Sequence, residues 1–269
     1  MQTIEGPEEF AARFGAPPET IERLRTYERL LRQWQKAVNL VAAATHDAVW
    51  HRHFADSAQL VRLAPPEARS WIDLGSGAGF PGMVAAIMLA GVRGVSASPR
   101  PSPTSPQTPS APGRVGGERY GNPPPARGQP VPVASRERQS APIRFLFVES
   151  DARKCAFLRE VVRQTGLAQA GIAADVLSKR AESVRRSVNE ALPRVLSARA
   201  LAPLDRLLEL AAPLSPPGTT LLFLKGREVG KELQMAETRW QFHVALVPSV
   251  TDTHGRVAVI TNLERKAKD

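Results

Sequence analysis

Ten consecutive residues, Asp73-Leu74-Gly75-Ser76-Gly77-Ala78-Gly79-Phe80-Pro81-Gly82, carry the densest chemical signal in the chain. They follow a short apolar run, Trp71 to Leu74, that reads as a strand, and they precede a helix-like run from Gly82 to Ala90. Glycines at 75, 77 and 79 let the backbone turn tightly and approach a ligand with no Cβ in the way, while the next helix offers free N–H groups at its N-terminus. Asp73 would be unfavourable beside a pyrophosphate but suits a cofactor with sulfonium and ammonium charges, as in S-adenosylmethionine. A second acid, Glu149, ends the next strand-like run, where a carboxylate can accept both hydroxyl hydrogens of a ribose. Gly77 and Glu149 lie 72 residues apart; subtracting the unusual 50-residue stretch 93–142 leaves 22, near the roughly 20 expected for a ribose-binding acid.

Elements of two kinds must position these residues. Ile21, Leu24, Tyr27, Leu31, Trp34 and Val38 recur at helical steps, as do Val49, Trp50, His53, Phe54, Ser57 and Leu60, which predicts two amphipathic helices in residues 1–69. Strands are expected at 71–74, 143–148, about 171–176, 194–198 and 219–225. Helices are expected at 203–212 and 228–237, and another that Asp151 caps and that carries Cys155, Phe157, Leu158 and Val161. Two last strands, 241–247 and 256–263, flank a polar turn and predict an antiparallel hairpin at the sheet edge. The alternation implies a doubly wound α/β domain with a mostly parallel sheet over 70–92 and 143–269, with an N-terminal helical extension packed on it. The stretch 93–142 holds 12 of the 24 prolines, with seven Ser and six Gly. It reads as a disordered insert in a surface loop, because it has few apolar side chains to offset the entropy of ordering.

Several segments together resemble the RsmG/GidB family of bacterial 16S ribosomal RNA methyltransferases, which act on N7 of a guanosine. They are Leu31 to Leu40, Arg52-His53-Phe54-Ala55-Asp56-Ser57, the Asp73 to Gly82 loop, Glu149-Ser150 with Arg153-Lys154, Arg180-Ala181-Glu182, Ser197 with Arg199-Ala200, and Leu224-Lys225-Gly226. The resemblance covers nearly all of the chain outside the insert, which departs from the family pattern. It implies S-adenosyl-L-methionine as cofactor, bound by Gly75, Phe80, Ala181, Glu182 and Arg199, to which the glycine loop and the strand-end acid add Gly77 and Glu149. It also implies 16S ribosomal RNA, or an assembling small subunit, as partner.

The residues themselves narrow the acceptor. Ser197-Ala198-Arg199-Ala200-Leu201 is unlike the Asn/Asp-Pro-Pro-Tyr element of adenine amino methylation, and the lone Cys155 reads as core packing rather than the nucleophile of pyrimidine C5 methylation. Purine N7 has a free in-plane lone pair and needs alignment and exclusion of water but no general base. No catalytic residue is therefore assigned; Lys225 and Arg199, ending neighbouring strands, are the candidates on the RNA side, with Arg52 and Arg180 weaker. His53 reads as a hydrogen-bonded packing residue.

The charge of +10, from 36 Lys plus Arg against 26 Asp plus Glu, favours polyanions, although half of it falls in 93–142. No apolar run approaches the length of a membrane span, no signal-peptide pattern is visible, and a single cysteine supplies neither an internal disulfide nor a multi-thiolate metal site. The expectation is a cytoplasmic, monomeric enzyme with no metal. Two other readings stay open: a catalytically silent S-adenosylmethionine-binding assembly factor, and an NAD-dependent oxidoreductase, against which Asp73 counts.

Overall fold

The computed structural model describes residues 3–45, 47–96, 141–184 and 194–267. Its strands are β1 (Ser70–Leu74), β2 (Ile143–Glu149), β3 (Ile172–Ser178), β4 (Val195–Arg199), β5 (Thr220–Lys225), β6 (Trp240–Pro248) and β7 (Arg256–Arg265). They form one sheet in the order β3-β2-β1-β4-β5-β7-β6. The first five pair in parallel, and β7 and β6 close the sheet as the expected antiparallel hairpin. Because β1 pairs with both β2 and β4, the strand order reverses beside it, and a crevice opens at the C-terminal ends of the strands.

The inner parallel strands β1, β2, β4 and β5 are largely buried on both faces, so each face needs a covering layer. Along β2, Phe145 and Phe147 join one buried cluster and Val148 the other. The first cluster is covered by α1 (Pro7–Phe14), α2 (Pro18–Gln35), α3 (Gly82–Ser96) and α4 (Ala152–Gln164), the second by α5 (Leu204–Ala211) and α6 (Val229–Glu237). Asp151 caps α4 as expected, accepting the Arg153 and Lys154 amides at 2.8 and 3.3 Å.

Three details differ from the sequence reading. Helix α1 was not foreseen, although Pro7 at its first turn and left-handed Gly15 at its end mark both boundaries. The second N-terminal helix is an irregular run, a π turn at Trp50–Ala55 followed by one α turn and a 3-10 turn to Arg62. Helix α3 continues to Ser96, taking in 93–96; the rest of the expected insert, 97–140, lies outside the described residues. No described helix is long and apolar enough to cross a membrane.

Candidate functional site

The glycine loop sits at the reversal point beside β1. Gly75 and Gly77 have φ of +63° and +56°, conformations that side-chain-bearing residues adopt only at a cost. Glu149 ties this loop to the end of β2. Its Oε2 accepts the Gly77 amide at 2.8 Å, and its Oε1 accepts the Ser150 and Asp151 amides at 2.7 and 2.8 Å. A carboxylate has about four acceptor positions, so roughly one remains for a ribose hydroxyl. For Glu149 to accept from both ribose hydroxyls, as expected from the sequence, it would have to give up one of these amides.

A cavity of about 540 Å³ opens above this loop, within the size range of small-molecule sites. Gly75, Gly77, Phe80, Glu149, Ala181, Glu182 and Arg199, all expected to bind the cofactor, line it. Lys154, Lys179 and Arg206 also line it and were not foreseen as site residues, and Arg180, expected on the RNA side, lines this cavity too. Glu182 is exposed; its own backbone amide and then the Arg206 guanidinium, 3.1 Å away, hold its carboxyl below the usual range.

Asp73 is not where its charge was expected. It is fully buried beneath the loop, outside the cavity lining. Its Oδ1 accepts from Ser197 Oγ at 2.5 Å, and that hydroxyl accepts from Trp71 Nε1 at 2.8 Å. Its Oδ2 has no hydrogen-bond partner among the described residues. Burial raises the carboxyl to about pKa 6, against the lowering pull of Ser197, Ser76, the Gly82 amide and the Arg199 charge. Gly82 packs so closely that a Cβ there would lie 2.6 Å from Asp73 Cβ.

Arg199 is the best-held side chain of the site. It donates to the Arg52 carbonyl at 3.2 Å and to His53 Nδ1 at 2.8 Å, lies 3.6 Å from Asp56 Oδ2, and stands over the Phe80 ring at 4.9 Å. A guanidinium only donates, so His53 Nδ1 must accept and the proton sits on Nε2, which donates to Thr45 Oγ1 at 2.9 Å. Burial, then the charges of Arg199 and Arg52, push His53 down to about pKa 3. Its ring stacks on Phe80, 4.8 Å between centroids, so His53 is a neutral packing and positioning group. Asp56 accepts from Thr251 Oγ1 at 2.9 Å and from Gln59 Nε2 at 3.0 Å. The Arg52-His53-x-x-Asp56 element thus serves to fix Arg199, a role its helical spacing alone did not reveal.

Arg199 and Ala200 also line a second cavity, of about 250 Å³, together with Arg52, Lys225 and Glu232. Lys225 is not the free cation expected of a phosphate ligand. It is 8% exposed, its Nζ lies 2.5 Å from Glu232 Oε2, and it donates to the Ala202 carbonyl at 3.2 Å. Arg52 is 3.7 Å from Asp252 Oδ2. Between the two cavities Ala200 has φ of +52°, a left-handed conformation uncommon for a residue with a Cβ and one that clusters at functional sites.

A glycine loop at the reversal point of a parallel sheet, a carboxylate ending the next strand and a second cavity meeting the first at β4 define the class of S-adenosylmethionine-dependent α/β methyltransferases. Residues 20–95 and 130–261 match the profile of the family described as rRNA small subunit methyltransferase G (GidB), and the chain belongs to this family. It is 40% identical over 256 residues to the Ribosomal RNA small subunit methyltransferase G of Parvibaculum lavamentivorans, covering 95% of this chain and 89% of that protein. Identity to the protein of the same name from Rhodospirillum centenum is 39%, covering 95% and 90%. Among solved structures it is similar to an O-methyltransferase from Bacillus cereus in complex with SAH, with a TM-score of 0.48, 13% identity and coverage of 88% and 91%.

Proposed function

We propose that the chain transfers a methyl group from S-adenosylmethionine to N7 of a guanosine in the 16S RNA of the small ribosomal subunit. The observation that carries this reading is the meeting of two cavities at Arg199 and Ala200, in a member of a family whose description names small-subunit rRNA methylation. The cofactor supplies a methyl on a sulfonium, already activated for transfer. Gly75 and Gly77 provide a backbone surface without side chains, and Glu149 keeps an acceptor for a hydroxyl of the bound nucleoside. The acceptor base occupies the second cavity, and Arg199, common to both, lies at the boundary between RNA and cofactor. No group has to remove a proton, because N7 carries a free lone pair. His53, the imidazole nearest this boundary, is locked in its neutral form by Arg199 and Thr45. Catalysis then rests on alignment and exclusion of water.

The proposed partner is 16S RNA or the assembling small subunit, engaged by a cytoplasmic monomer. The test is to incubate small subunits and their naked RNA, both from a strain lacking the gene, with the chain and methyl-labelled S-adenosylmethionine. Nucleoside mass spectrometry should place the label in N7-methylguanosine. Label in another nucleoside, or none in either substrate, would refute the reading.

A further inference from the structure

We propose that Lys225 and Glu232 read the O6 and N1–H edge of the acceptor guanine, and so determine base choice; this rests on the methyl-transfer reading above. The Lys225 ammonium has three N–H groups, of which one meets Glu232 Oε2 at 2.5 Å and one the Ala202 carbonyl at 3.2 Å. The third has no partner among the described residues. Glu232 Oε2 also accepts the Leu204 amide at 2.7 Å, at the start of α5. Its Oε1 has no partner among the described residues. Holding Lys225 and capping α5 therefore use one carboxylate oxygen, and a cationic donor and an anionic acceptor are left over side by side. Both residues line the second cavity, and the Glu232 side chain is 22% exposed, so the spare donor and acceptor are open to a ligand that enters it.

A neighbouring donor and acceptor match the edge of guanine on which the O6 acceptor adjoins the N1–H donor. Adenine placed in the same way offers its N6 amino group to the ammonium and its bare N1 to the carboxylate, so that like groups oppose each other. Charge-assisted bonds are the stronger kind, and leaving either group unpaired against the wrong base is costly. O6 lies between N1 and N7 on the purine. A base held through O6 and N1 therefore keeps the N7 lone pair unengaged, as methylation there requires. Lys225 ends the strand paired with β4, whose last residue, Arg199, lines both cavities.

The test uses synthetic RNA in which the target guanosine, located first by mapping the label to a fragment of the methylated RNA, is replaced by inosine, N1-methylguanosine or 2-aminopurine riboside. Inosine keeps O6 and N1–H and should be methylated within about threefold of guanosine. N1-methylguanosine and 2-aminopurine should fall about 10- to 100-fold, the range of one well-made pair of base contacts. Glu232→Gln retains an oxygen for Lys225 and Leu204 but turns the other position into a donor, which suits the bare N1 of 2-aminopurine. It should shrink the preference for guanosine over 2-aminopurine about tenfold or more, with cofactor affinity of the folded variant unchanged. A purely structural Glu232 would lower both acceptors together and leave their ratio intact, and that outcome would overturn the inference. Rapid methylation of N1-methylguanosine by the unmutated chain would overturn it too, without any variant. Failure to methylate guanosine itself would sink the methyl-transfer reading, and this inference with it.

Discussion

The C-terminal edge of the sheet is built in two ways on its two sides. Beside β1 and β2 the ligand-facing surface is backbone: Gly75 and Gly77 turn left-handed, and Glu149 spends its carboxylate on three amides. Beside β4 and β5 it is side chains held from a distance, Arg199 by His53 and Lys225 by Glu232. A backbone surface has little chemical identity beyond its N–H and C=O groups, which suits a cofactor shared by many enzymes. A side-chain surface can place a charge, a donor and an acceptor independently, which suits choosing one acceptor among four bases. The Arg199–Ala200 turn is where the two surfaces meet.

The largest effect should come from breaking the backbone side. In Gly75→Val a Cβ would lie 2.6 Å from Leu201 Cδ1, at a φ of +63°. Leu201 is partly exposed and can yield, so the lasting cost is the left-handed backbone, about 3 kcal/mol at the upper end of the known range for a β-branched residue. Cofactor affinity should fall on the order of 100-fold, while RNA binding in the folded variant changes little. Calorimetry with S-adenosylmethionine that returned the original affinity would remove the distinction between the two sides.

The same contrast governs what could be read from the chain alone. The glycine loop is contiguous, and its ligand-binding character follows from residue types within ten positions. The strands were legible because those buried on both faces are continuous apolar runs, bounded by glycine and polar turns. The other side is assembled from residues 146 apart, as for Arg199 and His53, or 195 apart, as for Asp56 and Thr251. Spacing therefore placed His53 on an apolar face but could not reveal what it holds. Lys225 looked like a free strand-end cation because Glu232, seven residues on, reaches it only once β5 and α6 fold back on each other. Asp73 looked accessible because nothing local indicates that Gly82 closes over it.

A smaller effect should sharpen the role of that buried carboxyl. Asp73 has a folded-state pKa of about 6, raised by burial from an ordinary carboxylate value. The folded chain thus binds this proton more tightly than the unfolded chain. Between about pH 4 and 6 folding takes up a proton at Asp73, so its contribution to stability falls as pH rises through that window and is constant above it. The size is about 2–3 kcal/mol from the shift. His53, lowered to about 3, acts in the opposite direction: its neutral form is favoured by folding, so its contribution is lost as pH falls below about 6.5. Comparison with Asp73→Asn isolates the carboxyl. Denaturant melts at pH 4.5, 5.5 and 7 should show the variant gaining on the unmutated chain as pH rises. Parallel curves would mean that Asp73 titrates normally and that its burial does not matter to the loop.

The smallest effect on the cofactor should follow removal of residues 97–129. The family profile leaves 96–129 unmatched, and 97–129 lies within the connection from α3, which ends at Ser96, to β2, which begins at Ile143. Ile143 is at the N-terminal end of its strand, about 20 Å along it from Glu149 at the usual rise per residue, so the re-entry point is remote from both cavities. Nine of the removed residues are proline, with four Arg against one Glu, a composition that contributes charge but little apolar surface. Loop-closure entropy varies slowly with length, so shortening the connection to about a quarter should stabilise the fold by about 1 kcal/mol. Cofactor affinity should stay within about twofold. RNA affinity should drop at low salt through the lost net positive charge, and the difference should close near physiological ionic strength, where exposed charges are screened beyond about 8 Å. The measurements are a thermal melt, a cofactor titration and RNA binding at two salt concentrations. A variant that folds but no longer binds S-adenosylmethionine would place part of the cofactor surface in this segment and would end the description of the edge as two self-sufficient sides.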